Sequence, residues 1–145
     1  MDGFSLILPT INAYRELDLC LESLVLNSKL KNELIVVVDV DKKRKANSKV
    51  IEVLKSRKIN FFINKKNLGP YGSWNRGAEF AKKEILCFIT DDQYFAPGWD
   101  EAIMKHMRKN FVISSQLVEP GVLLPSFSTV MKDFGESAVN FRSEE

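Results

Sequence analysis

Phe4 to Leu8 is a short apolar run stopped by Pro9, which reads as a buried strand. Between Ala13 and Ser28, the residues Leu17, Cys20, Leu21 and Leu24 recur at helical spacing, and Asn12 stands before them as the expected N-cap. Leu34 to Val40 is β-branched and apolar almost throughout, as a central parallel strand should be. A polar loop from Lys42 to Asn47 leads to a second helix with Val50, Ile51 and Leu54 on its apolar stripe. Ile59 to Ile63 predicts a third strand, and Asn67 to Gly72 a turn-rich loop. Trp74, Gly77, Ala78 and Ala81 give the next helix a narrow, small-residue face suited to close packing on a sheet. Ile85 to Ile89 is a fourth strand that runs straight into Thr90-Asp91-Asp92. Pro97-Gly98 opens a helix with Trp99, Ile103 and Met107 on one side, and Phe111 to Ser114 predicts a fifth strand. After Gln116 the periodicity fades; Val122 to Leu124 is a further strand candidate, set among Pro120, Gly121 and Pro125.

Strands alternating with helices predict an α/β fold, three-layer α/β/α around a mostly parallel central sheet, Rossmann-like, with right-handed crossovers. A length of 145 residues fits one domain, residues 1–145, with no internal repeat or linker. In such sheets ligands bind at the carboxyl ends of the strands. Those ends are Pro9-Thr10-Ile11-Asn12, Asp39-Val40-Asp41, Asn64 to Gly69, and Thr90-Asp91-Asp92. All four are polar and two are acidic.

Composition narrows the classes. With 45% hydrophobic and 28% charged residues the chain is an ordinary globule, not a disordered one. A net charge of +2 gives no argument for nucleic acid. Basic residues cluster at Lys42-Lys43-Arg44-Lys45 and at Lys65-Lys66, and the first cluster reads as solvated loop charge. Cys20 and Cys87 lie in apolar contexts without ligand spacing, so core packing is expected and structural zinc is not. The lone histidine, His106, falls on the helix after Gly98 and takes no role. The start, Met1-Asp2-Gly3-Phe4, lacks a signal pattern, and no apolar run approaches the ~20 residues of a membrane span. The expectation is a cytoplasmic protein without a span, with peripheral association to a membrane left open.

Adjacent carboxylates at a strand end repel each other unless something positive neutralises them. Mg²⁺ or Mn²⁺ would do so, taking one or two carboxylates and completing its shell with water and substrate phosphates. An acidic cluster at a helix N-terminus is the bland alternative, although the helix begins several residues away at Gly98. Asp39 ends another strand, where a carboxylate can accept from a base N–H or a ribose hydroxyl. Asp41 is balanced between that role and a loop acid beside Lys42 to Lys45. The glycines of the Asn67 to Gly72 loop permit close approach to a diphosphate. Neither a P-loop nor a GxGxxG motif occurs.

Four segments together resemble the family-two glycosyltransferases of the GT-A fold. Phe4-Ser5-Leu6-Ile7-Leu8-Pro9-Thr10-Ile11-Asn12 resembles the family's first strand with its Pro-Thr-x-Asn end. Glu33 to Asp39 resembles the second strand with its terminal aspartate. Asn67-Leu68-Gly69 followed by Asn75-Arg76-Gly77 matches the Asn-x-Gly loop and the helix behind it. Phe88-Ile89-Thr90-Asp91-Asp92, with Pro97-Gly98-Trp99 beyond, resembles the metal-binding strand end. The resemblance implies a nucleotide-sugar-binding core over residues 4–116 and a short acceptor-side or irregular segment over 117–145.

That resemblance implies roles. Pro9, Thr10 and Asn12 would line the base and ribose pocket, Asp39 would contact the base, and Asn67, Gly69 and Ser73 would sit near the ribose and diphosphate. Asp91 would help bind the sugar donor, and Asp92 would be the direct ligand of Mn²⁺ or Mg²⁺. Ile11 stands where the family often has an aromatic, and Thr90 where the first acid of an Asp-x-Asp motif often sits. The reaction implied is transfer of a sugar from a nucleotide-diphosphate sugar to an acceptor hydroxyl, with inversion. UDP is the default nucleotide, with GDP and dTDP as alternatives, and the acceptor a glycan or a lipid-linked species. In the family the acceptor half and the carboxylate base usually come well after this point; Glu119 and Asp133 are the candidates here, with Glu136 a third available acid, and exposed loop acids are the commoner explanation of each. Two other functions stay open: a nucleotide-sugar-binding module without full catalytic machinery, and a sugar nucleotidyltransferase.

Overall fold

A computed structural model describes residues 2–114. Its elements run β1 (Asp2–Thr10), α1 (Tyr14–Asn27), β2 (Lys31–Val38), α2 (Ser48–Ser56), β3 (Phe61–Ile63), α3 (Gly69–Ala78), β4 (Leu86–Phe88) and α4 (Trp99–His106). The four strands form one parallel sheet in the order β3-β2-β1-β4. Leu6, Leu8 and Thr10 of β1 stand beside Leu34, Val36 and Val38 of β2. Ser5, Leu6 and Ile7 stand beside Leu86, Cys87 and Phe88 of β4.

Side chains alternate between the two faces of the sheet. Phe4, Leu6, Leu8, Val36 and Val38 pack with Leu17, Cys20, Leu21 and Leu24 of α1 and Val50 and Leu54 of α2. Trp99 of α4 joins the same face, stacked on Phe4 at 6.0 Å between ring centres. Residues of opposite parity, Ile7 and Val37, face α3. The small-residue face of α3 does what its spacing predicts: a Cβ on Gly77 would overlap Ile7 Cγ2 and press on Val37 Cγ2 at 3.2 Å. The fold is therefore the expected three-layer α/β/α arrangement.

Several details depart from the sequence expectation. Helix α1 begins at Tyr14 with Ala13 as N-cap and no side-chain cap. Asn12 is diverted: its Oδ1 accepts from Asn47 Nδ2 at 3.1 Å, while Asn47 itself caps α2 through Lys49 N–H. No strand forms at 111–114; Phe111 turns back to Arg108, and Phe111 and Val112 are exposed, so they have no sheet face to bury. Helix α3 stops at Ala78, leaving Ala81 in the following turn. Ile85 to Ile89 is apolar at every position, yet Leu86 and Phe88 are 39% and 50% exposed. Both lie on the α3 side of β4, the outermost strand among the described residues, where α3 covers them only in part through Trp74. Val122 to Leu124 lies outside the described residues.

Candidate functional site

The chain adds β2 and β3 on one side of β1 and β4 on the other, so the direction of winding reverses between β1 and β4. The crevice outside the carboxyl ends at such a reversal is where open α/β sheets bind ligands. Thr10 ends β1 on one side of this crevice, and Thr90-Asp91-Asp92 follows β4 on the other.

The acidic strand end is held from two sides. Trp74 of α3 donates its indole N–H to Ile89 O at 3.0 Å. Cys20 of α1 donates its thiol to Thr90 O at 3.6 Å. Burial, reinforced by the charges of Asp91 and Asp92, pushes the Cys20 thiol up to about 12, so it remains a protonated donor. Asp92 is exposed, and its Oδ1 accepts from Thr90 Oγ1 at 2.6 Å. Asp91 is partly buried. That burial raises its carboxyl above the usual carboxylate range, and the charges of Asp92 and Glu16 push the same way against the opposing Thr10 hydroxyl. Thr10 is 3% exposed, and its Oγ1 lies close enough to favour ionised Asp91 but makes no well-formed hydrogen bond.

A buried hydroxyl without a partner, beside a carboxylate made reluctant to ionise, fits a position awaiting a cation or a polar ligand. Among the described residues no group of three or more His, Cys, Asp or Glu can enclose a metal. Such an ion would take Asp92, with Asp91 behind it, and complete its shell with phosphate and water, as Mg²⁺ and Mn²⁺ commonly do.

On the other flank Asp39 follows β2 and is 4% exposed. Its carboxylate accepts from Val40 N–H, Asn64 Nδ2, and the backbone amides of Leu68 and Gly69, at 2.8–3.2 Å. Asn64, which follows β3, also donates to Ser73 Oγ at 2.9 Å, and Ser73 is fully buried. Asn67 is exposed, and its Nδ2 reaches Val40 O at 2.6 Å. Gly69 takes φ +68° with open space about it, so backbone conformation is what requires glycine there. Asp41 closes its own loop, accepting from the amides of Lys43 and Lys45.

The structure thus brings Thr10, Asp91 and Asp92 together at the crevice, and Asp39, Asn67, Gly69 and Ser73 into one network beside it. Pro9 is buried in β1, and Asn12 is exposed at the rim. Glu119 and Asp133 lie outside the described residues. Sequence reasoning counted Asn64 within a polar strand end but gave it no role of its own, and gave only packing to Trp74 and Cys20. Asn64 carries the signal that marks Asp39, a polar residue closing an apolar strand.

The family model for glycosyl transferase family 2 matches residues 5–125. A protein of Haemophilus influenzae described as an uncharacterized glycosyltransferase is 32% identical over 106 residues, covering 73% of this chain and 35% of that relative. The chain spans about a third of the length of this curated relative.

Proposed function

As the chain belongs to glycosyl transferase family 2, we propose that it binds a nucleotide-diphosphate sugar at the carboxyl edge of its sheet and serves transfer of that sugar to an acceptor hydroxyl. The observation that carries this reading is the pairing across the crevice of a buried, unsatisfied Thr10 hydroxyl with the Asp91-Asp92 strand end. Asp92 is the metal ligand and Asp91 assists it. Pro9, Thr10 and Asn12 line the base and ribose side, and Asp39 serves that same side. Asn67, Gly69 and Ser73 belong to the loop and helix start beside the ribose and diphosphate.

Bound Mn²⁺ or Mg²⁺ supplies Lewis-acid stabilisation of the departing diphosphate. The chain's own contribution is to hold two carboxylates at a fixed height, through Trp74 and Cys20, where the diphosphate arrives. An acceptor hydroxyl then attacks the anomeric carbon, with inversion. UDP is the default nucleotide, GDP and dTDP the alternatives, and the acceptor a glycan or a lipid-linked hydroxyl. Glu119 and Asp133 are the candidates for the base. A cytoplasmic setting, with the acceptor at a membrane surface, fits a chain whose described helices are too short or too polar to cross a membrane.

Calorimetric titration of UDP, GDP and dTDP, with and without Mn²⁺, tests this reading. One nucleotide should bind in the presence of Mn²⁺, and Asp92→Ala should weaken that binding by about tenfold or more, the size expected for a charged ligand lost. No binding with metal, or binding unchanged in Asp92→Ala, refutes it. Sugar-donor binding without turnover on any acceptor would favour a binding module instead.

A further inference from the structure

We propose that Asp39 and Asn64 are positioning residues, which shape the nucleotide pocket by holding the Asn64 to Gly69 turn against the end of β2, and that Asp39 acts in this way in place of touching the base. The inference rests on the nucleotide-sugar reading of the site and specifies how one flank of it is built.

The argument begins with acceptor capacity. An ionised carboxylate offers about four acceptor positions. Asp39 meets four donors within the protein: Val40 N–H at 3.0 Å, Asn64 Nδ2 at 3.1 Å, Gly69 N–H at 2.8 Å, and Leu68 N–H shared between both oxygens at 3.2 and 3.1 Å. A base N–H would have to displace one of them. None of the side-chain ion pairs among the described residues includes Asp39, so these donors are what make a 4% exposed carboxylate tolerable.

The backbone is shaped to match. Leu68 lies in the right-handed region (φ −107°, ψ −11°) and Gly69 in the left-handed one (φ +68°). Successive amides in that sequence of conformations form a concavity that binds an anion. It opens at the start of α3, where a negative charge is favoured. Such a concavity would suit a phosphate, yet its anion here is Asp39. With these amides taken, the turn borders the diphosphate without binding its charge, which is left to an ion at Asp91-Asp92.

Asn64 completes the device. It is 6% exposed and joins Asp39 Oδ1 to Ser73 Oγ, so one amide locks the carboxylate to the first turns of α3. Asn67 adds a second tie, from its own amide to Val40 O. Moving any member shifts the whole turn, and with it the wall that every nucleotide meets.

The test compares UDP, GDP and dTDP binding, with Mn²⁺, in the full chain and in Asp39→Asn and Asn64→Ala, together with amide exchange at Leu68 and Gly69. An asparagine at 39 presents one oxygen where two were needed. Affinity for every nucleotide the wild type binds should then fall by a common factor of about tenfold in Asp39→Asn and about threefold in Asn64→Ala. Exchange at Leu68 and Gly69 should quicken in both. If Asp39→Asn does not fold, Asn64→Ala carries the same comparison. A loss confined to one base overturns the proposal in favour of direct contact. So does a lowered melting temperature with all affinities unchanged, which would mark a structural role alone. Failure of the wild type to bind any of the three with Mn²⁺ overturns the nucleotide reading itself, a separate result.

Discussion

Trp74 donates its indole N–H to the carbonyl of Ile89 across 3.0 Å, and that bond ties α3 to the segment carrying Asp91 and Asp92. The same ring packs edge-on against Phe88 and Tyr71. Phenylalanine at 74 would keep much of the packing and lose only the bond. Trp74→Phe is expected to lower Mn²⁺-dependent nucleotide affinity by about fivefold, the equivalent of one hydrogen bond. Calorimetry on the folded variant measures it, and an unchanged affinity would show that the carboxylates do not need this tether.

Gly77 is where α3 comes down on the sheet. Adding a methyl group sets it against Ile7 Cγ2 in a fully buried layer, where neither β1 nor β2 has room to yield. Gly77→Ala should destabilise the fold by about 2 kcal/mol, despite the helix-propensity gain of alanine. Urea unfolding reads this as a lower midpoint at unchanged slope.

Asp100 predicts a pH dependence. It is fully buried, and burial opposes its ionisation. The amides of Leu30 and Lys29, the Asn32 side chain and the Glu101 amide outweigh that and hold its carboxyl below the usual range. For a group whose pKa is lower folded than unfolded, the stabilisation is complete above the unfolded value and disappears as pH falls through the folded one. Asp100→Asn should therefore cost about 2 kcal/mol at neutral pH. The gap to wild type should hold down to the ordinary carboxylate range and close only below it. Paired denaturation curves at neutral and acid pH decide this; a gap independent of pH would mean that packing, not charge, is what Asp100 provides.

Much of the fold was legible because period and punctuation agree. Leu17, Cys20, Leu21 and Leu24 mark one helical face, and each lies in the core. Polar residues closing apolar strands marked the carboxyl edge of the sheet, and Thr10, Asp39 and Asp91 all fall there. Sheet order was not legible. Ile85 to Ile89 and Leu34 to Val38 look equally apolar, yet among the described residues β4 is outermost and β2 is enclosed. Phe111 to Ser114 has strand-like residues but forms no strand, and Phe111 and Val112 stay exposed. Hydrogen-bond partners were hidden for a related reason. Asn12 reads locally as a cap, and only the approach of Asn47, 35 positions away, redirects it. The role of Asn64 depends on a partner 25 positions back, which no local pattern can encode.

The two flanks of the crevice differ in how much chain must close to form them. The Asp39 network links neighbouring parts of the chain, β2, β3 and the start of α3. The acidic flank needs β4 to return to β1, and its thiol tie spans 70 positions, from Cys20 to Thr90. Contacts of such long range come late in folding, because the loop entropy must be met before they give anything back. With only three residues in β4 to hold it, the Asp91-Asp92 flank is expected to open more readily than the longer β1–β2 pairing at the centre of the sheet. A ligand that bridged both flanks would therefore fasten a lightly held seam of the fold. Part of its binding energy would go into completing the protein around it.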